Sequence, residues 1–243
     1  ARLAGGPTIL IDGGTGTEIE RMGAAMHPKA WSAQASLTDP DIVRGVHCAY
    51  LDAGAEIIIA NTYPANFHVM VSAGLSDEFE PANRQAVKLA REARDQSGTA
   101  QAGDQERHAW VAGSMSTTTF APGLDRSVIE DASAPGAGYR AHAEIIADVG
   151  VDLIMLEMMR DVTETRLCLS AALETGLPVW LGFSAEMSPE GNLQLYGSQT
   201  RFDEGVARVL EGNNAPQAVG VMHSEYELMP ELLDLLNKLW GGP

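Results

Sequence analysis

Asp12, Glu157 and His223 each stand at the end of an apolar run, where a polar side chain either meets a ligand or needs an internal partner. Asp12 closes residues 8–12 and opens Asp12-Gly13-Gly14-Thr15-Gly16, while Glu157 follows residues 151–156. A lone carboxylate buried at such a tip costs several kcal/mol, roughly, unless a cation or donor meets it. Two carboxylates converging on one mouth can serve as acid and base, or jointly hold an ammonium group. For Asp12 a turn-capping role is the competing reading. His223 closes residues 218–222, and an imidazole there can ligate a metal or exchange a proton.

Three glycines within four residues, Gly13, Gly14 and Gly16, let the backbone adopt positive φ and approach a ligand closely. Their spacing is not that of a dinucleotide-binding loop. Asn61-Thr62-Tyr63 follows residues 55–60 and offers amide, hydroxyl and phenol groups at the same rim. Ser114 and Ser116 lie at the end of the third run, and Ser184 and Glu186 at the end of the fifth. No G-x-S-x-G elbow occurs. His47, His142, Cys48 and Cys168 fall inside helical patterns and read as packing or surface residues, the cysteines as inert buried thiols.

The elements that must position these residues alternate. Apolar runs at 8–12, 55–60, 109–112, 151–156, 178–183 and 218–222 suit buried parallel strands. Helical patterns lie between them. Asp39 precedes Pro40 as a cap, residues 81–93 and 139–149 carry apolar faces, and Asp161 and Glu164 have capping-box spacing. Residues 202–210 and 230–240 complete the set, and residues 96–105 read as a polar loop. Six βα units in series imply right-handed crossovers in a parallel sheet, either doubly wound or six of the eight units of a (β/α)8 barrel. Because the chain stops where a seventh strand would begin, the expectation is a single barrel domain over residues 1–243 lacking its last two strands. Inserts at 21–37 and 115–138 would lie on the active-site side of such a barrel.

Composition narrows the classes. With 243 residues, 45% hydrophobic and 20% charged, the chain has the balance of a soluble globular protein. A formal net charge of −17 argues against nucleic-acid binding, which needs a basic footprint. No apolar run reaches the roughly 20 residues of a membrane span. Two cysteines make no disulfide framework, so a cytoplasmic location is expected. Oligomeric state is not legible.

The order of motifs resembles the homocysteine S-methyltransferase family. Ile11-Asp12-Gly13-Gly14-Thr15-Gly16-Thr17-Glu18 is similar to its DGGMGTEL opening, Trp31-Ser32-Ala33 to WSA, and Ala60-Asn61-Thr62-Tyr63 to TNTY. Leu156-Glu157-Met158-Met159 matches the acid-bearing fourth strand, and Gly220-Val221-Met222-His223 aligns with GxNC. The resemblance implies a (β/α)8 barrel that transfers a methyl group to the sulfur of homocysteine, giving methionine. It further implies that Asp12 and Glu157 help hold the amino-acid end of homocysteine, with Gly13 and Gly14 giving close backbone contacts; Asn61 and Thr62 are expected to contact the substrate from their place at the rim. Zinc is the implied cofactor, held in the family by one cysteine after the sixth strand and a GGCC pair after the eighth. Here His223 stands at the first cysteine position and no GGCC pair occurs, so His223 is a tentative ligand and zinc is expected to bind poorly. The methyl donor is open among S-methylmethionine, S-adenosylmethionine, betaine and methylfolate. Two other readings stay open: a metal-free barrel lyase or hydrolase using Asp12, Glu157 and His223, and a non-catalytic amino-acid-binding protein.

Overall fold

Residues rich in isoleucine, leucine and valine supply the strands. In the computed structural model, which describes Gly6 and residues 8–100, 109–117, 136–212 and 215–242, these are β1 (Ile57–Ala60), β2 (Trp110–Ser116), β3 (Leu153–Met159) and β4 (Val179–Phe183). They are followed by β5 (Ala185–Met187), β6 (Leu193–Leu195) and β7 (Ala218–Val221). The main sheet runs β1-β2-β3-β4-β7 with every neighbouring pair parallel. Apart from the β5–β6 hairpin, spatial order follows chain order with no reversal. A doubly wound sheet reverses at a switch point, and a barrel does not, so the strand order decides between the two expected architectures.

The run at 8–12 is less regular than a strand. A single parallel bridge joins Ile11 to Ile57, supported by Asp12 N donating to Ile57 O at 3.0 Å, while Leu10 remains 53% exposed. It still lies beside β1, so six parallel segments occur in sequence order. Successive β1 side chains enter two different cores. Ile57 and Ile59 join Ala112, Leu153 and Met155 on one face, whereas Ile58 and Ala60 join Val111, Ile154 and Leu156 under the helices. Burial on both faces explains why these segments read as continuous apolar runs.

The helices α1 (Thr15–Arg21), α2 (Ala35–Thr38), α3 (Pro40–Asp52), α4 (Phe67–Ser72) and α5 (Phe79–Ala100) come before or between the first strands. After β2 follow α6 (Ala137–Val149), α7 (Val162–Glu174), α8 (Phe202–Leu210) and α9 (Met229–Leu239). Asp161 accepts from the Glu164 amide at 2.8 Å as an N-cap. Asp39 occupies the cap position of α3 without capping it, its carboxylate taking the Thr38 hydroxyl instead. Helix α5 continues through residues 96–100, where a loop was expected, and residues 101–108 of that expectation lie outside the described residues. Most of the expected insert at 115–138 also lies outside them. The antiparallel hairpin β5–β6 was not anticipated, because two three-residue strands carry too little periodicity to read. Among the described residues no helix is long and apolar enough to cross a membrane.

Candidate active site

The C-terminal ends of the parallel segments surround a cavity of about 320 Å³ whose lining includes Asp12, Trp31, Tyr63, Glu157, Met222 and His223. Asp12 and Glu157, far apart in sequence, thus share one space with His223. Asp12 is buried. Its Oδ2 accepts from the Ile59 amide at 2.7 Å, while Oδ1 has no hydrogen-bond partner. Burial pushes its carboxyl up to about 8; the Ile59 amide works against that, and the charge of Glu157 adds to it. In the free protein at neutral pH, Asp12 is therefore largely protonated, and a cation placed on Oδ1 would ionise it.

Glu157 owes its aim to a fault in the sheet. Leu156 pairs with Leu181 and Met159 with Phe183, so β3 carries one more residue than β4 across this stretch. The bulge bends β3 at Glu157 and Met158, and Met158 takes φ +56°. One carboxylate oxygen of Glu157 accepts a short hydrogen bond from the Ser114 hydroxyl, and the other lies 3.5 Å from His223 Nε2. His223 has φ +48°, and its ring stacks on Tyr63 with centroids 6.3 Å apart. The Tyr63 hydroxyl donates to Met158 Sδ at 3.1 Å. Burial, then the charge of Glu157, raises the Tyr63 phenol well above its ordinary range.

Trp31, Met158 and His223 are the non-glycine residues with positive φ among those described. Two line the cavity and the third receives the Tyr63 hydroxyl. Left-handed backbone at bulky residues is disfavoured, and it concentrates where surrounding structure holds a site in place.

The remaining expected site residues fall into two groups. Gly13, Gly14 and Asn61 line the cavity. Thr62 does not. It is buried, and its hydroxyl accepts from Ser114 N at 2.8 Å and donates to Ser114 O at 2.7 Å, tying β1 to β2. Asn61 has its amide clamped to Ser32, donating to Ser32 O at 2.8 Å and accepting from Ser32 Oγ at 2.9 Å. That clamp anchors the segment carrying Trp31. None of Gly13, Gly14 and Gly16 adopts positive φ, contrary to the expectation from their type. The need at Gly16 is room: a Cβ there would lie 2.5 Å from the Trp31 ring. Tyr63 was expected at the rim and lines the cavity, Trp31 was visible only as a motif member, and the left-handed backbone at Trp31 and His223 has no sequence signal.

Cys168 is buried in α7 with its thiol raised by burial, as an inert packing residue should be. Cys48 is half-buried on α3, more open than expected. For a metal, the cavity offers Glu157 and His223 close together. Zinc needs three or four ligands, and among the described residues no group of three or more His, Cys, Asp or Glu could hold an ion. The residues described do not fit a complete metal site.

A family model for homocysteine S-methyltransferase matches residues 9–241. The chain belongs to the homocysteine S-methyltransferase family. Similar relatives within it include homocysteine S-methyltransferase 1 of Brassica oleracea var. italica, 29% identical over 249 residues, covering 96% of this chain and 74% of that protein. Selenocysteine methyltransferase of Astragalus bisulcatus is 29% identical over 265 residues, with coverage of 98% and 75%. Among solved structures, the metallated form of the homocysteine methyltransferase MmuM from Escherichia coli matches with a TM-score of 0.78 at 24% identity. It covers 97% of this chain and 81% of that one. This family of methyltransferases thus accounts for the parallel fold seen here.

Proposed function

We propose that the cavity binds the amino-acid end of homocysteine, or of a similar small thiol or selenol, and that the protein transfers a methyl group to its sulfur. The observation that carries this reading is the buried, unpartnered Oδ1 of Asp12 in the same cavity as Glu157. Two carboxylates, one held neutral by burial, make a receptor for an ammonium group. Binding would replace lost solvation with a charge-assisted hydrogen bond. Family membership and the relatives acting on homocysteine and selenocysteine support sulfur or selenium as the acceptor.

In the transfer, a carbon–sulfur bond forms at the acceptor as the donor's bond to its methyl carbon breaks. The electron pair leaves with the donor, and the thiol proton passes to solvent. Such a displacement gains mainly from holding sulfur and methyl carbon in line. The work assigned to these side chains is accordingly binding and alignment. Gly13 and Gly14 bring backbone close to the ligand, Asn61 fixes the Trp31 wall through Ser32, and Thr62 acts indirectly by joining β1 to β2.

Calorimetric titration with L-homocysteine tests the binding half, and methionine formation from S-methylmethionine or S-adenosylmethionine tests the transfer. Binding by the wild type and its loss in Asp12→Asn are expected. Absence of any binding by folded wild-type protein would sink the reading. Binding without transfer from any donor would leave an amino-acid-binding protein instead.

A further inference from the structure

The cavity explains one end of an amino acid better than the other. Its charged lining residues are Asp12 and Glu157, and among the described residues no lysine or arginine lines it. The chain as a whole carries −17. A zwitterionic ligand would bring a carboxylate into this acidic field, where like charge is repelled. A cation at the rim would offset that repulsion.

Arg160 lies outside the lining yet near enough to the cavity-lining Tyr63 for its charge to act on the phenol. It follows β3 directly, three residues after Glu157 and two after Met158, whose sulfur receives the hydroxyl of the cavity-lining Tyr63. Its guanidinium packs over the ring of Tyr196, 5.8 Å from the centroid, just beyond the β5–β6 hairpin. The nearby Glu186 carboxylate is already engaged, Oε1 accepting from Gln194 Nε2 at 2.9 Å and from the Gly197 amide at 3.0 Å. Every other arginine among the described residues lies within 4.0 Å of a carboxylate or, as Arg91 does, donates to a backbone carbonyl. Arg160 does neither among the described residues. In so acidic a protein, that leaves a cation held in position by an aromatic face with its hydrogen-bonding edge uncommitted. Its charge also bears on the Tyr63 phenol, opposing the rise that burial and Glu157 cause.

We propose that Arg160 is the carboxylate-binding residue for an amino-acid substrate of this cavity. The inference rests on the function proposed above and adds the second anchor. With ammonium and carboxylate both held, the side chain of the ligand has one direction left, which orients its sulfur. The planar fork of arginine matches a carboxylate with two parallel hydrogen bonds.

Binding of L-homocysteine, of its decarboxylated counterpart 3-aminopropane-1-thiol, and of S-methyl-L-methionine should be measured on wild type, Arg160→Gln and Arg160→Lys. Arg160→Gln is expected to weaken a carboxylate-bearing ligand about tenfold or more, the worth of one charge-assisted contact. It should leave 3-aminopropane-1-thiol unchanged, with Arg160→Lys recovering part of the loss. Weakening of homocysteine assigns the contact to the methyl acceptor; weakening of S-methylmethionine alone assigns it to the donor. Equal affinities of wild type and Arg160→Gln for both amino acids overturn the proposal. So does an equal loss for the decarboxylated thiol, which would mark Arg160 as a packing residue. Failure of wild type to bind any of the three would instead overturn the function itself.

Discussion

His223 Nε2 lies 3.5 Å from Glu157 Oε2, so a side chain at the tip of β7 reaches across β4 to one at the bulge of β3. The other oxygen of Glu157 takes the hydroxyl of Ser114 on β2. Three strand tips are thereby tied through one carboxylate. Replacing Ser114 with alanine should free Glu157 to turn toward His223 or solvent. A hydrogen bond to a charged group contributes about 1.5–3 kcal/mol, so homocysteine affinity is expected to fall roughly tenfold. Calorimetry on Ser114→Ala, with a matched melting curve to show an intact fold, checks this. Unchanged affinity would mean that the Ser114 contact does not position Glu157.

The burial of Asp12 gives a stability prediction with a definite sign. Its folded pKa of about 8 lies above the ordinary 3.8, so its contribution is fully present below about 3.8 and is lost as pH rises through 8. Asp12→Asn, which cannot ionise, should escape that loss. The stability advantage of the variant is expected to grow by up to about 1.4 kcal/mol per pH unit and level off above pH 8. Urea midpoints of both proteins at pH 5 and pH 9 measure it, and parallel pH dependences would contradict it. The same ionisation links to binding. At pH 7 an ammonium ligand should release a proton from Asp12, visible as a buffer-dependent heat.

Buried histidines act in the opposite direction. His47, His68 and His142 are held near 4, 4 and 3 by desolvation, with the charge of His68 adding to the effect at His142. Both ring nitrogens of His47 lack partners, whereas His142 Nε2 lies 2.9 Å from Asn83 Oδ1. Each folded pKa lies below the ordinary 6.5, so the neutral form's stability holds above 6.5 and drains as pH falls toward 4. His47→Leu should move the acid-unfolding midpoint to lower pH by removing one of these steps. Far-ultraviolet circular dichroism against pH is the measurement, and an unmoved midpoint would count against it.

At Gly16 the chain leaves no space for a side chain. A Cβ there would lie 2.5–2.8 Å from three atoms of the Trp31 ring, and the indole forms a wall of the cavity. Gly16→Ala should cost about 1–3 kcal/mol from overpacking and weaken homocysteine as the wall shifts. Gly13→Ala is expected to be milder, since its Cβ would meet only the hydroxyl end of the Tyr50 side chain, at 3.0 Å. Thermal unfolding and titration of both variants should show that order.

Metal binding follows from the donor set. Glu157 and His223 supply two groups and the described residues no third, so the chain should take up zinc below one equivalent after dialysis. His223→Ala should not change the melting temperature in the presence of zinc. Stoichiometric zinc by elemental analysis, lost in that variant, would reverse this expectation.

Much of the architecture was legible in the residues. Strands buried on both faces are apolar throughout, helices between them repeat at helical spacing, and residues 202–210 could be bounded correctly because an acidic first turn and an apolar face agree. The motif order likewise placed Asp12, Glu157 and His223 at strand tips, since a polar residue ending a buried run stands out against it. What escaped was set by contacts between distant segments. Among the described residues the run at 8–12 forms one bridge only. The three left-handed residues, the extra residue in β3 and the exclusion of a side chain at Gly16 depend on what lies opposite them in space. Thr62 and Asn61 carry ligand-like groups, yet one is consumed between strands and the other on Ser32. Sequence alone determined that Asp12, Glu157 and His223 end buried runs, because strand period and burial are local properties. Tertiary structure decided which of them still have a hydrogen-bonding atom to offer a ligand, because that depends on every neighbour at once.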